Sequence, residues 1–151
     1  MTSKLLFINA SPNKHGNTVR IGGNLLKNFD YKQLNLVDYH IDQLGQAGAA
    51  DQFLEVIQEM QEADTIIIAT PVYWHAMGGL LKTLIDRLYE LQDNPDVLRG
   101  KNLYFFMQGA APTELAVAST NYIIERVAAI IGMNLLETAS KAEDVLKWRL
   151  P

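Results

Sequence analysis

The sequence contains no cysteine. That absence excludes disulfides, thiolate zinc sites, iron–sulfur clusters and a cysteine nucleophile, and it fits a reducing compartment. Long hydrophobic runs are also missing. No stretch approaches the roughly 20 apolar residues of a membrane-spanning helix, and the apolar run in MTSKLLFINASP is too short for a signal peptide. Positive charge is sparse and scattered: 13 Lys and Arg stand against 17 Asp and Glu, a formal net charge of −4. A nucleic-acid binder would carry a basic cluster, and none occurs. No repeat, low-complexity tract or linker interrupts the 151 residues. A chain of this length buries roughly 70% of its unfolded surface and needs no covalent staple. The expectation is one domain over 1–151, soluble and cytoplasmic, with neither nucleic acid nor membrane as a partner.

What is present is an alternation of two hydrophobic periods. Short apolar runs over 5–10 (LLFINA), 33–37 (QLNLV), 65–69 (TIIIA), 102–107 (NLYFFM) and 134–138 (NLLET) predict five strands. TIIIA is apolar on both faces, as the centre of a parallel sheet requires. Between them, period-3.6 patterns predict helices over 17–29, 51–62, 79–91 and 113–131, with a short last one over 141–146. The first shows an inward stripe of Ile21, Leu25, Leu26 and Phe29 and an N-cap candidate in Asn17. The second shows Asp51 as its cap and Phe53, Leu54, Ile57 and Met60 facing inward. Gly132 ends the fourth as a left-handed stop. The βαβαβαβαβ order implies a parallel sheet covered on both faces, in the flavodoxin-like order 2-1-3-4-5. Ligands of such sheets bind outside the carboxyl ends of the strands, where the order reverses.

Three loops at that edge carry the chemistry. The first, SPNKHGNT over 11–18, is dense in donors and turn formers and precedes a helix. Helix N-terminal N–H groups and the helix dipole favour an anion, Ser11, Asn17 and Thr18 add donors, and Lys14 adds a charge. The loop is neither GxxxxGK[ST] nor GxGxxG, and an ordinary strand-to-helix turn with an Asn cap explains the same composition. The second, TPVYWHAMGG over 70–79, has Pro71 closing its strand, then two aromatics and a His; Tyr73 and Trp74 suit a planar ligand, or else cap the core or form a dimer contact. The third, QGAAP over 108–112, offers small residues and free amides. His40 reads as a surface or capping residue, and no group of convergent metal ligands is evident.

SPNKHGNT paired with TPVYWHAMGGLLKTLIDR resembles the NAD(P)H-dependent FMN reductase and quinone reductase family of flavodoxin-like proteins, three-layer sandwiches on a five-stranded parallel sheet. Its pattern is roughly [GA]SPR-x-x-[GS]NT followed by [SA]P-[VI]-Y-x-x-x-[MP]-x-x-x-LK-x-x-[IL]DR, and the likeness covers most of the chain. The resemblance implies that Ser11, Asn13, Gly16, Asn17 and Thr18 bind the FMN phosphate with help from Lys14. Asn13 stands where the pattern has Arg. Pro71, Val72, Tyr73 and Trp74 would line the ribityl chain and ring, with Gly109 and Ala110 on its other side. Lys82, Asp86 and Arg87 read as structural or interfacial. The implied activity passes hydride from NAD(P)H through FMN to a quinone, flavin, nitro or azo acceptor, with no side-chain acid or base required. The resemblance also implies a homodimer or homotetramer, for which Trp74, His75 and Met77 suit a symmetric contact. A branch of the family with a cysteine-rich loop binding an iron–sulfur cluster is excluded here, because the corresponding IDQLGQAGAADQF has no Cys.

Two other classes compete on the same fold. A flavodoxin-type electron carrier would bind FMN without turning over pyridine nucleotide. A receiver domain needs acidic residues at the ends of strands one and three, where this chain has Asn9-Ala10 and Ala69-Thr70. A fold that has lost its cofactor and serves as an interaction module is the remaining alternative.

Overall fold

The computed structural model describes residues 3–151. Strands β1 (Leu5–Asn9), β2 (Tyr31–Asn35), β3 (Thr65–Tyr73), β5 (Asn102–Gln108) and β6 (Asn134–Ala139) form a parallel sheet in the order β2-β1-β3-β5-β6. This is the expected 2-1-3-4-5 arrangement with one addition. A two-residue strand, β4 (Ala76–Met77), folds back antiparallel on the end of β3. The helices are α1 (Asn17–Leu26), α2 (Phe53–Glu62), α3 (Gly79–Arg87), α4 (Glu114–Ile131) and α5 (Ala142–Val145).

The sheet separates two apolar layers. Alternate strand residues Leu6, Ile8, Ile66, Ile68, Leu103 and Phe105 meet α2, α3 and α4. Phe7, Ile67, Tyr104 and Phe106 meet α1, α5 and the tail residues Trp148 and Leu150. Helix α1 lies unusually close to β1. A methyl group on Gly22 would stand 2.4 Å from the Phe7 ring, so that position tolerates only hydrogen.

Several local expectations need correction. Helix α1 is capped by Gly16, with no side-chain hydrogen bond, and Asn17 is its first helical residue. Helix α2 is capped by Gln52, and Asp51 turns away to Arg87. The buried stripe of α2 is Phe53, Val56, Ile57 and Met60, the i, i+3, i+4, i+7 set. Leu54 falls one helical step of about 100° off that stripe and is 72% exposed. Phe29 lies beyond the end of α1 and is exposed. The second strand comes earlier than expected, at Tyr31–Asn35, and Leu36–Asp38 form a 3₁₀ turn. Pro71 does not close β3. It stays in register with Gln108, and the strand runs on to Tyr73. Helix α3 stops at Arg87 and tightens into a 3₁₀ turn over Leu88–Leu91. Thr113 caps α4 by accepting from the Ala116 N–H, and Gly132 closes it in the left-handed conformation (φ 77°), as expected.

Candidate functional site

The strand order reverses between β1 and β3, so the carboxyl ends of β1, β3 and β5 are adjacent. They carry the three loops singled out above.

The first loop is a ladder of short-range side-chain bonds. Asn9, fully buried at the end of β1, accepts the Ser11 N–H through Oδ1 (3.1 Å) and donates through Nδ2 to Asn35 Oδ1 (3.0 Å). Ser11 Oγ accepts the Asn13 N–H (3.0 Å), and Asn13 Oδ1 accepts the His15 N–H (2.9 Å). These repeated i, i+2 turns are the ones Asn and Ser form readily. They fix the loop and leave the start of α1 open. The N–H groups of a helix's first turn have no intrahelical partner, and Gly16 supplies no capping side chain. Gly16 has an ordinary negative φ of −88°, so backbone freedom is not its reason. Its Cβ would stand 3.0 Å from Asn13 Nδ2, and the missing side chain lets Asn13 fold over the helix start. Thr18 is buried, and its Oγ1 accepts from Gln108 Nε2 (3.3 Å), tying the first loop to the end of β5. Asn17 Oδ1 accepts from Arg20 Nη2 (2.9 Å), and Lys14 Nζ pairs with Asp38 Oδ1 (2.9 Å).

The second loop is the β3–β4 hairpin. Its two central residues, Trp74 and His75, both have positive φ, 49° and 64°. This is the geometry of a type I′ turn, which normally takes Asn and Gly. Bulky residues there are strained by about 1–3 kcal/mol, and such strain concentrates at functional positions. The base of the hairpin is held by the Gly78 N–H, which donates to Thr70 Oγ1 (2.9 Å) and the Pro71 carbonyl (3.2 Å). Tyr73 is half-exposed and packs its ring edge toward Gly78, whereas Trp74 is 96% exposed. Met77 is buried, which removes it from any surface contact.

The third loop approaches the second. A Cβ on Gly109 would stand 3.2 Å from Val72 Cβ, so Gly109 brings its backbone against the end of β3, with Ala110 exposed beside it. Ser11, Asn13, Lys14, Gly16, Asn17, Thr18, Pro71, Val72, Tyr73, Trp74, Gly109 and Ala110 therefore all lie on one edge of the sheet. The sequence reading missed Asn9, Gln108 and Asp38, which act through these loops. An Asn ending a buried strand was the visible signal for Asn9.

The other polar features lie off this edge or support structure. Arg87, 3% exposed, donates to both Asp51 oxygens, to Glu90 and to the Asp42 carbonyl, and stacks on Phe53 at 4.4 Å. The Arg87 hydrogen bonds hold the Asp51 carboxyl down at about 2. This cluster pins the segment 40–52 to α3. Lys82 pairs with Asp86 on the surface (2.6 Å), and His40 contacts Asp42 at 2.7 Å in an exposed position. A cleft of about 820 Å³ opens at the amino ends of the strands, between Lys4, Phe29, Tyr31, Glu59 and Ala63. Its size is suited to a ligand, but it lacks the helix N-terminus and the ordered donors of the opposite edge. Among the described residues no group of His, Asp and Glu converges as a metal site, and no helix is long and apolar enough to cross a membrane.

Comparison with known proteins bears on which ligand this edge serves. The chain is 34% identical over 96 residues to an iron-sulfur flavoprotein of Archaeoglobus fulgidus, covering 56% of this chain and 48% of that protein. It is 29% identical over 100 residues to the putative NAD(P)H-dependent FMN-containing oxidoreductase YwqN of Bacillus subtilis, covering 61% of this chain and 55% of that protein. The chain thus spans about half the length of these curated relatives. Its fold is similar to that of the Trp repressor binding protein from Bacillus subtilis (TM-score 0.73, 22% identity, 95% and 92% of the two chains). It is also similar to an FMN-dependent NADH-azoreductase from Bacillus anthracis (TM-score 0.66, 14% identity, 95% and 92%). Residues 3–142 match the family model described as NADPH-dependent FMN reductase, and the chain belongs to that family.

Proposed function

We propose that this chain is an FMN-dependent oxidoreductase that takes hydride from NAD(P)H and delivers electrons to a small acceptor, a quinone, flavin, nitro or azo compound. The observation that carries the reading is the uncapped start of α1 beneath a donor-rich loop, at the strand-order reversal of a chain in this family. FMN, when bound, supplies the two-electron chemistry. The residues present fit it. The open N–H groups of Gly16, Asn17 and Thr18 and the dipole of α1 suit a phosphate, with Ser11, Asn13 and Lys14 around it. The end of β3 at Pro71 and Val72, with the exposed aromatic rings of Tyr73 and Trp74 after it, suits the ribityl chain and ring, although Pro71 itself is buried. Gly109, packed against Val72, and the exposed Ala110 would offer backbone N–H groups on the other side. Backbone N–H groups there would hold negative charge developing on the ring's pyrimidine edge.

The fully exposed Trp74 supports a homodimer or homotetramer in which the partner covers that indole. Buried Met77 takes no part. The cysteine-free sequence favours the cytoplasm.

The test is a titration of cofactor-free protein with FMN, followed by an NADH and NADPH oxidation assay with a soluble quinone. The expected result is a bound-flavin spectrum and pyridine-nucleotide turnover. Asn17→Ala keeps the backbone N–H but removes the Nδ2 donor, and should weaken FMN about tenfold, the worth of one hydrogen bond to a charged group. Protein that fails to take up FMN overturns the proposal. Protein that binds FMN without oxidising NAD(P)H is an electron carrier.

A further inference from the structure

Lys14 is the one Lys or Arg in the first loop, residues 11–18. It is already paired: Nζ lies 2.9 Å from Asp38 Oδ1, with both side chains about half exposed, at 46% and 47%. Asp38 ends the 3₁₀ turn after β2, the strand next to β1, and so flanks the loop from the outer side. The next cation along, Arg20, is engaged by Asn17 Oδ1. Arg20 lies outside the loop and keeps its charge, but within the loop and its neighbour Asp38 the formal charges of Lys14 and Asp38 cancel. A phosphate monoester near neutrality carries close to two negative charges. Its attraction to the loop then rests on backbone N–H groups and the helix dipole, while the Asp38 carboxylate both occupies Lys14 and repels the ligand.

We infer that Asp38 sets the phosphate affinity of this site by neutralising Lys14, so that the chain holds FMN more weakly than its cradle allows. This rests on the phosphate reading of the loop. Asp38 is a positioning residue here, acting on the ligand through Lys14. The loop does not need it for its fold, because the Asn9, Ser11 and Asn13 turns fix the backbone independently.

The experiment is a set of dissociation constants for FMN and riboflavin, by quenching of flavin fluorescence, on wild type, Asp38→Asn, Asp38→Ser, Lys14→Gln and the Asp38→Asn/Lys14→Gln pair. Circular dichroism checks that each is folded. Riboflavin lacks the phosphate and reports on everything else. Asp38→Asn and Asp38→Ser are expected to tighten FMN about fivefold at low salt, the effect of one unit charge a few ångströms away in a wet site. Riboflavin affinity should not move. The gain should shrink as salt rises and, when Lys14 is Gln, fall to the smaller part that comes from direct repulsion of the phosphate by Asp38. An unchanged or weakened FMN affinity in Asp38→Asn overturns the inference. So does a Lys14→Gln variant with wild-type FMN affinity, and in that case Asn17→Ala still tests the phosphate site itself. Equal FMN and riboflavin affinities in every variant would instead remove the phosphate reading, and the inference with it.

Discussion

Two adjacent glycines in α1 should respond in opposite ways to the same substitution. At Gly22 a new Cβ would stand 2.4, 2.6 and 2.9 Å from three carbons of the Phe7 ring. Phe7 has no room to move away, being fully buried and stacked on Phe106 at a centroid distance of 6.4 Å. Overpacking costs about 1–3 kcal/mol, and contacts this short on a ring that cannot move belong at the upper end, about 2–3 kcal/mol. The better helix propensity of Ala returns up to about 1 kcal/mol. Gly22→Ala should therefore be destabilised by about 1–2 kcal/mol, which lowers Tm by roughly 2–8 °C in a chain of this size. At Gly23 the same Cβ meets nothing within 4 Å. Gly23→Ala keeps the propensity gain and should be stabilised by up to about 1 kcal/mol. Urea unfolding of the two variants beside wild type is the assay. A neutral or stabilised Gly22→Ala would refute the close approach of α1 to β1. The same variant should also bind FMN more weakly, because pushing α1 off the sheet displaces the helix start that faces the ligand.

His75→Gly removes the side chain from a left-handed position and should stabilise the protein by about 1 kcal/mol in urea unfolding. Trp74→Ala should leave the stability of the monomer nearly unchanged, since its side chain is exposed, and should lower self-association as read by light scattering. Asp51→Asn should cost about 3 kcal/mol, the low end for a broken buried pair, because Arg87 keeps Glu90 and the Asp42 carbonyl. The pH dependence has a defined sign. The Asp51 carboxyl is depressed from 3.8 to about 2 on folding, so its contribution is complete above about pH 5 and is lost as pH falls from about 4 to 2. A urea midpoint followed from pH 6 to pH 2 should lose this component in Asp51→Asn.

The parallel sheet and its strand order were legible because each strand and helix announces itself within its own residues. TIIIA and NLYFFM are buried on both faces, and the helices between them repeat at 3.6. The errors arise where a distant partner decides. Asp51 has the chemistry of a helix cap, but Arg87, 36 positions away, claims both its oxygens. Lys14 reads as a free cation until Asp38, 24 positions away, is brought beside it. Leu54 and Val56 exchange places because either one completes an apolar set with Phe53, Ile57 and Met60, and only packing against the sheet selects Val56. The three loops could be placed on one edge from topology alone. The I′ turn at Trp74 and His75 could not, since neither residue favours the positive φ that the β3–β4 pairing imposes.

The central claim is that FMN sits on the carboxyl edge with its phosphate at the start of α1. Amide chemical shifts of ¹⁵N-labelled protein, followed as FMN is added, test it most directly. The largest changes should fall on residues 11–18, 72–75 and 109–110, and inorganic phosphate should move only the first group. Changes gathered instead on Lys4, Phe29, Tyr31, Lys32 and Ala63, around the cleft at the opposite edge, would contradict the account.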